Sequence, residues 1–127
     1  MDKKMKILVV DDFATMRKVI RNLLKQVGYD NVVEAENGEA ALSVLKSQSI
    51  DFVISDWNMP NMTGLDLIKA IRADSELGKT PFLMVTAEAL KENVVQAVKA
   101  GVNNYIVKPF TAEVLNEKID HILEKTA

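Results

Sequence analysis

Short runs of β-branched and aromatic residues alternate with helical patterns along the whole chain, and this alternation constrains the fold more than any other feature. The runs are Ile7–Val10, Val32–Ala35, Phe52–Ser55, Phe82–Val85 and Tyr105–Val107. Val, Ile and Phe favour strands. Near-continuous apolarity predicts parallel strands covered on both faces. Between the first two runs, Met16, Val19, Ile20, Leu23, Leu24 and Val27 recur at i, i+3, i+4, i+7, i+8 and i+11, the single stripe of an amphipathic helix. Gly28 stands where a C-terminal cap belongs. Ala41, Leu42 and Leu45 mark a second helix after Asn37-Gly38, and Leu65, Leu67, Ile68 and Ile71 a third. Val94, Ala97 and Val98, closed by Gly101, mark a fourth. Leu115, Ile119, Ile122 and Leu123 mark a fifth, with Thr111 as its N-cap.

Strands alternating with helices give an α/β fold: a parallel sheet with right-handed crossovers. Five strands and five helices in 127 residues fit a doubly wound, flavodoxin-like sheet of order 2-1-3-4-5, as one domain over residues 1–127. Ligands of such sheets bind beyond the carboxyl ends of the strands, at the switch point between strands 1 and 3.

Composition removes several classes of function. Sixteen basic residues against 18 acidic give a net charge of −2, which argues against bulk electrostatic binding of nucleic acid. Nothing approaches the roughly 20 apolar residues of a membrane span. Met1-Asp2-Lys3-Lys4 and the short run behind it do not read as a signal peptide. There is no cysteine, so thiolate chemistry and disulfides are excluded, and His121 is the only histidine, which argues against zinc. The expected compartment is the cytoplasm, and the expected state a monomer.

The strand ends carry the chemistry. Strand 1 runs into Asp11-Asp12, strand 3 into Asp56, strand 4 into Thr86 and strand 5 into Lys108-Pro109. Two adjacent carboxylates behind a buried strand repel each other and resist burial, so a cation is the expected third party. Three carboxylates and one ammonium sum to about −2, which a divalent ion neutralises. Oxygen ligands without His or Cys select a hard metal, Mg²⁺ before Mn²⁺. A carboxylate beside Mg²⁺ and a lysine can attack phosphorus and form an aspartyl phosphate. Lys108 and the Thr86 hydroxyl would stabilise charge on the transferring oxygens. Asp56, alone at the centre of the edge, is assigned the nucleophile; Asp11 and Asp12 share the metal, one directly and one through water.

The stretches VVDDF, ISDWNMPNMTG, MVTAEA and VKPF, in this order and spacing, resemble the receiver domains of two-component signalling. TMRKVIRNLLK and SDWNMPNM resemble the chemotaxis response regulators in particular. The resemblance covers residues 5–124. It implies that Asp56 accepts a phosphoryl group from a kinase phosphohistidine. Asp12, Asp56 and the main-chain carbonyl of Asn58 would ligate Mg²⁺, with Asp11 acting mainly through water. Lys108 would pair with the phosphoryl oxygens, and Pro109 would follow a cis peptide bond. Thr86 would move toward the phosphoryl group, with Tyr105 turning inward behind it. Asn58 and Glu88 match the positions that tune dephosphorylation. Lys91, Val94, Tyr105 and Lys118 would contact partners on the face of helix 4, strand 5 and helix 5, where Val98 and Val102 are also placed. The implied partners are the chemotaxis histidine kinase CheA as phosphodonor, the flagellar motor switch protein FliM as target, and the phosphatase CheZ as a further candidate. With no output domain expected after helix 5, the output would be a protein contact. Such a protein catalyses only its own phosphorylation and dephosphorylation.

Plainer readings exist for each residue. Thr86 alone could cap the next helix, and Lys91, Lys118 and His121 could be ordinary solvated groups. Trp57 is expected to be partly exposed, Tyr105 reads as a surface strand residue, and Met59, Met62 and Met84 read as packing. Among whole-protein alternatives, the nearest is a single-domain receiver of another two-component pathway or phosphorelay. A phosphatase of the haloacid dehalogenase type also uses a strand-end Asp, but it needs a second Asp where Asn58 stands. A flavin or nucleotide carrier would need a glycine-rich phosphate loop after strand 1, and none is present.

Overall fold

The computed structural model describes residues 3–87 and 90–126. The elements run β1 (Ile7–Val10), α1 (Ala14–Gln26), β2 (Val32–Ala35), α2 (Gly38–Ser47), β3 (Phe52–Asp56), α3 (Gly64–Ala73), β4 (Phe82–Thr86), α4 (Lys91–Ala100), β5 (Asn104–Val107) and α5 (Ala112–Thr126). The strands form one sheet in the order β2-β1-β3-β4-β5, and every neighbouring pair is parallel. This is the expected doubly wound arrangement. β3 and β4 each extend one residue further than their apolar runs, so that Asp56 and Thr86 close them, and β5 begins one residue earlier, at Asn104.

The central strands are buried at every position. Successive side chains point to opposite faces, so they feed two separate cores. Ile7, Val9, Ile54, Leu83 and Val85 meet Ile20 and Leu24 of α1 and Leu115 and Ile119 of α5. Leu8, Val10, Val53, Phe82 and Met84 meet α2, α3 and α4 through Leu45, Leu67, Ile68, Ile71 and Ala97. Each fully buried Leu, Ile or Val contributes on the order of 1.5–3 kcal/mol. The edge strands depart from the expected double coverage. Glu34 of β2 is open to solvent, and within β5 only Ile106 is buried. An edge strand has a neighbour on one side only, and the helices lie over the centre of the sheet.

Helix ends follow the local chemistry. Asn37 Oδ1 accepts from the Ala40 N–H at 2.7 Å, Thr63 and Asp66 form a reciprocal capping box, and Thr111 Oγ1 accepts from the Val114 N–H at 3.2 Å. Gly28 and Gly101 follow α1 and α4 with φ of 100° and 108°, a left-handed region that favours glycine. Leu90, and not Thr86, stands at the N-cap of α4, without a side-chain cap. The α4 stripe is also weaker than its spacing predicts. Ala97 alone is buried, Val94 is half-buried and Val98 is exposed. Val102, placed by resemblance on the outer face, is 7% exposed and packs in the α2–α4 core, because the chain dives back into the sheet directly after Gly101. No described helix is long and apolar enough to cross a membrane.

Candidate functional site at the carboxyl edge of the sheet

Register places the acids. Val10 of β1 lies opposite Ser55 of β3, so Asp11 and Asp56 both emerge one residue beyond that pair. Asp12 follows as the chain leaves the strand. Carboxylate oxygens of the three acids lie within 4.8 Å of one another. Asp11 is fully buried and Asp56 is 6% exposed. From the end of β5, Lys108 brings its Nζ to 3.0 Å from Asp56 Oδ1 and 3.7 Å from Asp11 Oδ2. The Lys108 backbone N–H donates to the Thr86 carbonyl at 2.8 Å, which fixes the lysine against β4. The Lys108–Pro109 peptide is cis.

Burial pushes the Asp56 carboxyl above its ordinary value of 3.8, against the opposing pull of Lys108. Burial also raises Asp11, the Phe13 N–H works the other way, and the Asp56 charge adds to the rise. One lysine therefore does not balance the cluster. Among the described residues, Asp11 Oδ2 and Asp12 Oδ1 are shielded from solvent and have no hydrogen-bond partner, Asp11 Oδ2 having only the Lys108 ion pair at 3.7 Å. Carboxylate oxygens without hydrogen bonds, all of them hard donors, in a cluster with net negative charge fit a hard divalent cation such as Mg²⁺. Asp11, Asp12 and Asp56 are the residues that could hold it, with Asn58 exposed on the loop that follows β3.

Thr86, 9% exposed, lines a cleft of about 260 Å³ with Trp57, Asn58, Ala87 and Asn93. Trp57 is half-buried, as the sequence predicts. Thr86 pairs with Val107 and Met84 with Tyr105, so Thr86 and Tyr105 point to the same face of the sheet. Tyr105 is half-buried, with Lys118 Nζ 5.3 Å from its ring centroid. The same Nζ reaches Asn104 Oδ1 at 3.5 Å. Lys91 is exposed, Val94 is half-buried and His121 is exposed. Glu88 lies outside the described residues.

The structure thus gathers Asp11, Asp12, Asp56 and Lys108 into one cluster, and places Thr86 and Asn58 beside it. Two neighbours escaped sequence reasoning. Arg17 Nη1 donates to the Asp11 carbonyl at 2.7 Å; its signal was a basic residue in the first turn after an acidic loop. Asn93 enters the cleft from α4, and no periodicity marks a polar residue in that role.

Residues 7–120 match the response regulator receiver domain family. The chain is 56% identical to chemotaxis protein CheY-3 of Vibrio cholerae serotype O1 over 125 residues, 98% of this chain and 96% of that protein. It is also 56% identical to chemotaxis protein CheY of Pseudomonas aeruginosa over 121 residues, 95% of this chain and 98% of that one. Among solved structures, the chemotaxis protein CheY4 of Vibrio cholerae superimposes with a TM-score of 0.87 at 35% identity, covering 94% of this chain and 98% of its own. A response regulator receiver protein from Pseudomonas putida superimposes with a TM-score of 0.84 at 31% identity, covering 95% and 99%. The chain belongs to the response regulator receiver family of two-component signalling, and the Vibrio cholerae and Pseudomonas aeruginosa relatives that it matches at 56% identity are chemotaxis proteins.

Proposed function

We propose that this receiver, one domain spanning residues 1–127, is a phosphorylation-activated switch of bacterial chemotaxis. It takes a phosphoryl group from a histidine kinase onto Asp56 and then binds the flagellar motor switch in the cytoplasm. The observation that carries the reading is the placing of Asp56, with two further carboxylates close by and the Lys108 ammonium 3.0 Å away. An Asp56 oxygen attacks phosphorus, the new O–P bond forms, and the P–N bond to the donor histidine breaks. A Mg²⁺ held by Asp11, Asp12, Asp56 and the Asn58 carbonyl would supply the charge neutralisation that phosphoryl transfer requires. Lys108 exchanges its ion pair with the Asp56 carboxylate for one with a phosphoryl oxygen. Thr86 turns its hydroxyl toward the same group, and Tyr105, on the same face of the sheet, follows inward. Asn58 and Glu88 would set access of water to the acyl phosphate, and hence its lifetime.

Two measurements test this. Wild-type protein with Mg²⁺ and a small acyl phosphate should gain one phosphoryl group, which Asp56→Asn should not; a stable aspartyl phosphate in that variant overturns the assignment. Binding to the N-terminal segment of the motor switch protein should tighten only with Mg²⁺ and beryllofluoride. A Trp57 fluorescence response without tighter binding would retain the receiver chemistry and move the protein to another two-component pathway.

A further inference from the structure

The peptide that joins Asp11 to Asp12 is held from outside the acidic cluster. Arg17 Nη1 donates to the Asp11 carbonyl at 2.7 Å, while its Nε donates to Glu34 Oε1 at 3.0 Å. Glu34 Oε2 is held in turn by Arg21 Nη1 at 2.5 Å, and Arg21 Nη2 donates to the Val32 carbonyl at 3.2 Å. The Arg17 side chain is 16% exposed. On its other side the Asp11 N–H donates to the Ala35 carbonyl at 3.2 Å, and Asp11 Oδ1 accepts from the Phe13 N–H at 2.9 Å. Asp11 is therefore fixed at its amide, its carboxylate and its carbonyl.

The geometry matters because consecutive side chains on an extended chain point to opposite sides. Asp11 and Asp12 nevertheless bring oxygens within 4.8 Å of a common set, which requires the chain to turn at their shared peptide. The direction of the Asp11 carbonyl sets the plane of that peptide. We propose that Arg17, held by Glu34, is a positioning residue for the cation site: it locks the Asp11–Asp12 peptide so that both carboxylates face one point. The proposal rests on the reading of Asp11, Asp12 and Asp56 as Mg²⁺ ligands. A guanidinium suits the task because its rigid fork reaches a carbonyl and a carboxylate at once, which a single ammonium does less well. Glu34 has a second effect. Shared between Arg17 and Arg21, its carboxylate offsets part of their combined charge, so that the guanidinium anchors the loop with less electrostatic competition for the incoming cation.

The test is a Mg²⁺ titration of the full chain, read by Trp57 fluorescence at low and high ionic strength, with a urea unfolding curve for each variant. Removing an outer-shell partner typically weakens metal binding about 10- to 100-fold, and Arg17→Ala should lose affinity in that range at both ionic strengths. Arg17→Lys should recover part of the loss. Glu34→Gln should lose less, and its loss should shrink as salt screens the unmasked guanidinium. If Arg17→Ala does not fold, Arg17→Lys and Glu34→Gln carry the test alone. Wild-type affinity in folded Arg17 and Glu34 variants, with only their urea midpoints lowered, would reduce the relay to a structural brace and overturn the proposal. A wild-type protein with no saturable Mg²⁺ response removes the cation reading itself, and the Arg17 proposal with it. Wild-type binding matched by Arg17→Ala removes the Arg17 proposal alone.

Discussion

Lys108 Nζ lies 3.0 Å from Asp56 Oδ1, so an ammonium from the end of β5 faces the carboxylate at the end of β3. In the proposed switch its two effects would oppose each other: Lys108 would compete with a cation for Asp56 and Asp11 before phosphorylation, and would stabilise the phosphoryl oxygens during transfer. Lys108→Ala should therefore bind Mg²⁺ more tightly and accept a phosphoryl group more slowly. The slowing should be on the order of 10²–10³-fold, about 2.7–4 kcal/mol, as for loss of one pre-organised donor. A fluorescence titration and a phosphorylation time course with an acyl phosphate donor check both directions. Parallel losses in the two would contradict the competition.

The pH dependence of stability has a definite sign. The carboxyls of Asp11 and Asp56 are both raised above 3.8, burial being the largest cause in each. Between 3.8 and the raised values the native state holds protons that the unfolded chain has released. Stability of the metal-free protein contributed by these groups therefore falls as pH rises through that window, and stays lower above it. Asp11→Asn removes one such group, so its stability relative to wild type should improve from acid toward neutral pH. Urea midpoints in chelator measure the difference; a wild type that gains on the variant with rising pH would reverse the sign. Mg²⁺ at about a hundredfold over its Kd should restore about 2.7 kcal/mol to the wild type at neutral pH.

Much of this arrangement is legible in the sequence, for physical reasons. β1, β3 and β4 are apolar at nearly every position because both faces are buried, so the first acid after the apolar runs of β1 and β3, and the Thr86 hydroxyl of β4, mark the strand end and the sheet edge together. Topology then collects Asp11, Asp56, Thr86 and Lys108 without any knowledge of side-chain contacts. The edges of the sheet were less legible. Glu34 and Tyr105 lie in strands with one neighbour, where apolar content no longer reports burial. Val98 shows the same limit: an apolar stripe gives the phase of a helix but not how deeply it sits, and Val98 is 59% exposed. Val102 lies beyond the end of α4, where helical phase no longer applies, and is 7% exposed. Arg17 was hidden because its role is a bond to a backbone carbonyl, and a basic residue in a first helical turn does not by itself say which carbonyl it reaches.

Gly64 opens α3 against the end of β3. Its N–H donates to the Trp57 carbonyl at 2.8 Å. A Cβ there would press on the Asp56 carbonyl oxygen and stand 2.7 Å from Met84 Sδ and 3.1 Å from Trp57 Cα. Met84 Sδ can give way by rotation, but the β3–loop backbone cannot. Gly64→Ala should therefore cost about 1–3 kcal/mol, the range for overpacking, and should shift the backbone that carries Asp56. Urea denaturation checks the first and Mg²⁺ affinity the second. Full stability in Gly64→Ala would mean that the helix start yields easily.

Tyr105 carries the last prediction. Thr86 and Tyr105 share a face through the pairs Thr86–Val107 and Met84–Tyr105, so a movement of Thr86 toward a phosphoryl group vacates space on the side where the tyrosine stands. Lys118 Nζ, 5.3 Å from the ring centroid, holds that ring in its present position. A cation–π contact at a partly exposed site is worth about 0.5–1 kcal/mol. Lys118→Ala removes that hold and favours the inward ring by about two- to fivefold. Coupling between sites is reciprocal, so if ring position and site occupancy are linked, the same variant should bind beryllofluoride and Mg²⁺ about two- to fivefold more tightly. Titration followed by Trp57 fluorescence measures this without any partner protein, which matters because Lys118 is itself a candidate partner contact. Unchanged affinity, with a Tyr105 ring that NMR shows to be freed, would separate the tyrosine from the site and leave Thr86 to transmit the signal through α4 instead.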